Sequence, residues 1–297
     1  MSLYHALIEP FAAYGFMRRA LVASLALALG CGPIGVLLVL RRMSLMGDAM
    51  SHAILPGAAI GFLLAGLSLP AMSLGGLVAG LCVALLAGLV ARATQLKEDA
   101  SLAGFYLTSL ALGVLIVSAR GSNVDLLHVL FGTILAVDAP ALSLVAAITS
   151  LTLLTLAVIW RPLIAECFDP GFLRAVRGGG SVYHIVFLAL VVLNLVAGFQ
   201  SLGTLMAVGL MMLPAAAARL WARDIWSTIL VAVLIAFVSG LIGLLASYNL
   251  DTASGPSIIL TAGMAYLGSI VLGANGGLMQ RYFPRPHYHN LPQGPVP

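Results

Sequence analysis

The sequence predicts an all-α polytopic membrane protein, a helical bundle of eight to nine transmembrane segments. Three observations carry that prediction. Of 297 residues, 61% are hydrophobic and only 8% charged, against about 25% charged in a soluble domain. Apolar runs near the roughly 20 residues needed to cross hydrocarbon recur along the whole chain. The arginines collect in alternate connections, as the positive-inside rule asks of a multi-pass chain. The 32 glycines agree with this class, because small residues let membrane helices approach closely.

Residues 1–20 form an N-terminal segment, extracytoplasmic or interfacial. They lack the ordered n-region, h-region and small-residue cleavage site of a signal peptide, so the apolar run that follows is expected to be retained. Residues 21–273 form the membrane domain, with candidate spans at 21–40, 49–67, 69–90, 100–119, 140–160, 182–200, 202–218, 226–248 and 257–273. The run 202–218 holds Gly203, Gly209 and Pro214 and reads as broken or re-entrant, which leaves eight or nine crossings. The stretch 120–139 is too apolar for a simple loop and too short to span, so a short helix at the interface or dipping into the bundle is expected. Residues 274–297 are a proline-rich cytoplasmic tail, expected to be disordered. The tail carries His287 and His289 in an H-x-H pair, a weak metal signal.

Orientation follows from the cations. With 161–180 inside, Arg41, Arg42, Arg92, Lys97, Arg161, Arg174, Arg177, Arg219, Arg223, Arg281 and Arg285 are all inside, and only Arg18, Arg19 and Arg120 are outside. The net charge of +4 is read through this asymmetry, not as a nucleic-acid footprint. Lys97 is the only lysine, and Gln95-Leu96 before it with Glu98 after it is no phosphate-binding loop. Any uphill work therefore draws on an ion gradient or a partner. Cys31, Cys82 and Cys167 form no C-x-x-C and read as small buried hydrophobes.

The stretch Arg41–Gly57, R-R-M-S-L-M-G-D-A-M-S-H-A-I-L-P-G, carries the chemistry. Asp48 and His52 are four residues apart and share a helix face, with roughly 5–6 Å between Cβ atoms. Ser44 precedes them by a turn. Pro56 follows by a turn and cannot bond back to the His52 carbonyl, so a kink and a freed oxygen are expected. Carboxylate, imidazole and carbonyl suit a divalent cation, and intramembrane ionisable groups default to function. The competing reading is a helix cap beside a structural histidine.

The loop 161–180 contains Asp169-Pro170, an N-cap with proline at the first helical position. A short helix near 170–177 is expected, ended by glycines 178–180. Its aromatics Phe168 and Phe172 point either to docking on another protein or to lipid headgroups. His128 and His184 read as loop and interfacial histidines. Asn194 and Gln200 read as joints between helices.

Several runs together resemble the permease subunits of bacterial ABC importers for zinc and manganese, the ABC-3 permeases. They are Gly32–Gly57, K-E-D-A-S-L (Lys97–Leu102), D-L-L-H-V-L-F-G-T-I-L-A-V (Asp125–Val137), L-P-A-A-A-A-R (Leu213–Arg219) and S-Y-N-L-D-T-A-S-G-P-S (Ser247–Ser257). The resemblance runs from about Phe16 to Gly273. It implies a multi-pass inner-membrane subunit, not itself an enzyme. The implied partners are a cytoplasmic ABC ATPase, a periplasmic or lipid-anchored metal-binding protein and a second permease, most simply a homodimer. It implies that Asp48 and His52 contact the transported ion, with zinc the first expectation and manganese or iron the others. No covalently bound cofactor is implied. The 161–180 loop becomes the coupling helix, with Phe168, Asp169, Pro170 and Phe172 meeting the ATPase. Gly171, Leu173 and Arg177 depart from the family's F-D-P-E-x-A-x-x-x-G pattern, which bears on which ATPase fits. The alternative is an ion-gradient transporter with Asp48 and His52 as a proton relay. An intramembrane metalloprotease is disfavoured, because the sequence has no H-E-x-x-H.

Overall fold

The structure, a computed structural model, describes residues 8–282 apart from 44, 67, 97, 120–136, 169–179 and 276. Every regular element among the described residues is helical. In chain order they are α1 (Glu9–Ala13), α2 (Gly15–Leu40), α3 (Met46–Ala53), α4 (Leu55–Ala65), α5 (Leu69–Ala93) and α6 (Glu98–Ala119). Then follow α7 (Ala139–Phe168), α8 (Gly180–Leu202), α9 (Thr204–Ala218), α10 (Ile225–Leu250), α11 (Ser254–Leu272) and α12 (Leu278–Tyr282). Among the described residues eight segments are long and apolar enough to cross a membrane, counting α3 and α4 as one, and α9 is a ninth, shorter apolar helix. At 15 residues α9 spans about 22 Å, short of the ~30 Å hydrocarbon core. It is a single helix through Pro214, not a broken one.

The long helix α2 is the axis of the bundle. Its buried side includes Met17, Ala20, Leu27, Cys31, Ile34 and Leu38. It packs on α7, α8, α9 and α10. Close approach is made with glycine: a Cβ on Gly35 would strike the Met211 carbonyl of α9, and one on Gly57 of α4 would strike the Gly75 carbonyl of α5. Asn194 joins two helices, as expected: its Nδ2 donates to Thr152 Oγ1 of α7 at 2.8 Å, and also to Leu190 O of its own helix at 2.8 Å.

Three expectations need correction. The first crossing begins at Gly15, not 21, and takes in Arg18 and Arg19; the Arg19 Nε–H donates to Val137 O at 3.2 Å. The segment 161–168 is not loop, because α7 runs on through Pro162 to Phe168. Pro162 removes one backbone donor, while the fully buried Leu163 keeps this last stretch packed. The stretch after Gly273 does not begin as a disordered tail. Asn275 N–H donates to Leu220 O, Asn275 Nδ2 to Trp221 O and Arg223 Nε to Asn275 Oδ1, and α12 follows. The expected helix in 120–139, with Asp125 and His128, lies in its larger part outside the described residues. So do Asp169, Pro170, Phe172 and the H-x-H pair.

Candidate functional site

The end of α2 sets the site. Arg42 has φ 59°, the left-handed position that follows a helix. Met43 N–H donates to Leu38 O at 2.9 Å and Arg42 N–H to Val39 O at 3.1 Å, the paired bonds of a Schellman motif. The chain reverses there and re-enters the bundle as α3. Gly47 then lies against Val208 and Met212 of α9, which places Asp48 alongside that helix and not beyond its end.

Asp48 and His52 meet as their spacing predicts. His52 Nε2 lies 3.8 Å from Asp48 Oδ1, with the side chains 32% and 61% exposed respectively. Two donors each about 2.1 Å from one ion stand about 3.0–3.4 Å apart at right or tetrahedral angles, so a small rotation of the exposed carboxylate closes the pair on a cation. His52 Nδ1 is buried and has no hydrogen-bond partner among the described residues. The imidazole stacks on Tyr106 of α6, ring centroids 6.1 Å apart and 25° between planes, which fixes the ring's face. Tyr106 had no signal in the sequence, because only the fold brings α6 beside α3.

The helix breaks at Ile54, as Pro56 demands, and α4 begins with that proline in its first turn. The Ile54 N–H donates to Met50 O at 3.2 Å and also approaches His52 O, and the neighbouring Ala53 O accepts from Ser109 Oγ of α6 at 3.1 Å. Among the described residues no three His, Cys, Asp or Glu side chains converge as a metal cluster. One chain therefore presents two donors here.

A second polar cluster, not anticipated, surrounds Arg41. Its Nη2 meets Glu166 Oε2 at 3.3 Å with side chains 7% and 10% exposed. Nη1 is 3.0 Å from His184 Nδ1, Nε donates to Cys167 Sγ at 3.1 Å, and the guanidinium carbon sits 4.5 Å from the Phe187 ring centre. Removing one partner of a buried pair costs about 3–5 kcal/mol, because the other charge is stranded. Glu166 fell in what the sequence presented as loop, so nothing marked it as a partner for Arg41. Phe168 closes α7 with its ring exposed. It lines a cavity of about 390 Å³ with Val39, Leu40, Arg219, Arg223 and Asn275, which gathers the ends of α2, α7 and α9 and the start of α10 at one end of the bundle.

Residues 13–273 match the ABC 3 transport family. The chain is 33% identical over 265 residues to the manganese import system permease protein ScaB of Streptococcus parasanguinis, covering 89% of this chain and 93% of that one. It is 30% identical over 269 residues to the chelated iron transport system membrane protein YfeD of Yersinia pestis, covering 91% of this chain and 89% of that one. Among solved structures it is similar to PsaBC from Streptococcus pneumoniae in complex with Fab, with a TM-score of 0.82, 30% identity and coverage of 93% of this chain and 98% of that one.

Proposed function

The chain belongs to the ABC 3 transport family, and on that premise we propose that it passes manganese, or failing that ferrous iron, inward along a path in which Asp48 and His52 hold the ion. It is the multi-pass plasma-membrane permease subunit of an ABC metal importer, with ATP hydrolysis on a separate subunit and a substrate-binding protein as the other partner. Manganese comes first because the permease named for it is similar over nearly the whole length; the iron relative supplies the second cargo. Zinc, the first expectation from carboxylate and imidazole, is compatible with the same donors and is one arm of the test.

The observation that carries the site is the Asp48–His52 pair at 3.8 Å on a short helix bounded by a turn and a proline break. An entering ion loses hydration, and a carboxylate replaces part of it with full charge. Two donors are few for a divalent transition metal, and a second copy of the chain supplying the same two would make four. This supports a paired permease, most simply a homodimer. Release needs only that the site be weak, which two or four exposed donors satisfy. Phe168, Asp169, Pro170 and Phe172 are the proposed contacts to the ATPase; the exposure of Phe168 at the end of α7 supports that reading.

Uptake decides the cargo. Cells without their own importers, given this chain with an ABC ATPase and a binding protein, are offered manganese, iron and zinc in parallel. Manganese accumulation that stops when the ATPase is inactivated is expected. Uptake that persists without the ATPase favours the gradient-driven alternative, and zinc taken up in preference returns the cargo to zinc.

A further inference from the structure

We infer that Arg41 is a positioning residue that ties the ion-holding segment to both sides of the connection between α7 and α8, so that movement imposed there reaches Asp48 and His52. The inference rests on the reading of the chain as a permease driven by a separate ATPase. Its own observation is the way the three guanidinium nitrogens are shared out. Nε goes to Cys167 and Nη2 to Glu166, both in the last turn of α7. Nη1 goes to His184, four residues into α8. The Phe187 face, a turn further along α8, closes the fourth side. One side chain at the end of α2 therefore grips the helix that leads into residues 169–179 and the helix that leads out.

On its other side Arg41 is joined to the site by a short, hydrogen-bonded reverse turn. Arg41 N–H donates to Leu37 O, Met43 N–H to Leu38 O and Met46 N–H to Met43 O. Asp48 lies seven residues beyond Arg41 in the sequence. A buried, charge-paired anchor followed by a hydrogen-bonded turn transmits displacement in a way that a solvated arginine on a flexible loop does not. Lysine cannot replace it, since a single ammonium has no planar fork to reach three partners in three directions.

The cluster also has the wrong chemistry to be a cation site of its own. The guanidinium lies between Glu166, Cys167 and His184 and takes a contact from each, and its charge repels a metal. Its polar atoms are spent on linking helices.

The test uses the full complex of this chain with its ATPase and binding protein, reconstituted in vesicles. Arg41→Gln, Arg41→Lys and Glu166→Gln are compared with the unmodified chain for manganese uptake and for ATP hydrolysis in the same vesicles. In Arg41→Gln, uptake is expected to fall tenfold or more while hydrolysis falls less than twofold, and Glu166→Gln is expected to shift the ratio the same way. Arg41→Lys keeps the charge but loses the fork, and its uptake is expected to fall between that of Arg41→Gln and that of the unmodified chain. A second readout needs no knowledge of the cargo. A cysteine placed at exposed Leu45, on a background with Cys31 and Cys82 replaced by alanine and Cys167 by serine, which keeps an acceptor for Arg41 Nε, is expected to change its labelling rate when vanadate traps the ATPase, and Arg41→Gln is expected to remove that change. Uptake and hydrolysis falling in proportion, or an unchanged labelling response, overturns the inference. Failure of both glutamine variants to assemble assigns the cluster to folding and overturns it as well. Absence of manganese uptake by the unmodified complex counts against the proposed cargo alone, since the labelling response still tests Arg41.

Discussion

Asp48 and His52, the proposed ion-holding pair, differ in how each is anchored. His52 is half-buried, stacked on Tyr106 and fixed in orientation, whereas Asp48 is exposed and free to swing. In the proposed site the imidazole sets where a cation stops, and the carboxylate supplies the charge that draws it there. His52→Ala removes the only nitrogen donor of the pair and leaves oxygen ligands, which favour harder cations. The expected outcome is uptake reduced severalfold for all three metals, with zinc losing more than manganese when the two compete at equal concentration. Equal losses would place His52 outside the ion's contacts. The pair was legible in the sequence because a one-turn spacing fixes which side chains meet on a helix. The Arg41 cluster was not, since its partners lie 125 and 143 residues away and only tertiary packing brings them together.

At the scale of elements, the bundle depends on helices that touch backbone to backbone. Gly35 of α2 meets the Met211 carbonyl of α9, and that contact holds the short α9 against the axis on the same side as α3. Any Cβ there collides with backbone, which cannot give way as the end of a flexible side chain can. Gly35→Ala is expected to destabilise the protein by about 1–3 kcal/mol, the usual range for overpacking. Gly263 in α11 has open space around it, so Gly263→Ala is expected to be neutral or to gain up to about 1 kcal/mol from helix propensity. Thermal unfolding of the two purified variants in detergent checks the pair: the first should melt lower than the parent chain and the second should not. Pro56 breaks a helix, but Pro162 and Pro214 are carried inside α7 and α9. Packing against neighbouring helices compensates a missing donor in a membrane bundle, and no local signal says where it will.

At the scale of the whole molecule, the class, the number of apolar segments and most of their bounds could be read from composition and run length, because a bilayer imposes one thickness on every span. What could not be read were the helix extensions past the apolar runs, where Arg18, Arg19 and Glu166 continue a helix because they find polar partners or solvent. The exposed apolar side chains that cover α5, α6, α10 and α11 have the character of a lipid-facing surface, and two polar regions stand apart from it, the Asp48–His52 face and the end of the bundle where Phe168, Arg219 and Asn275 gather. The proposed function joins these two regions, with the ATPase acting at that end and the ion held at Asp48 and His52 passed on in consequence. Its most direct test is ATP-driven accumulation of radiolabelled manganese in vesicles that hold the full complex, comparing the parent chain with Asp48→Asn, which keeps size and hydrogen bonding but removes the charge. The account predicts that the parent complex accumulates manganese and that the variant complex assembles and hydrolyses ATP yet accumulates at least tenfold less. Accumulation by Asp48→Asn at the parent rate would contradict it.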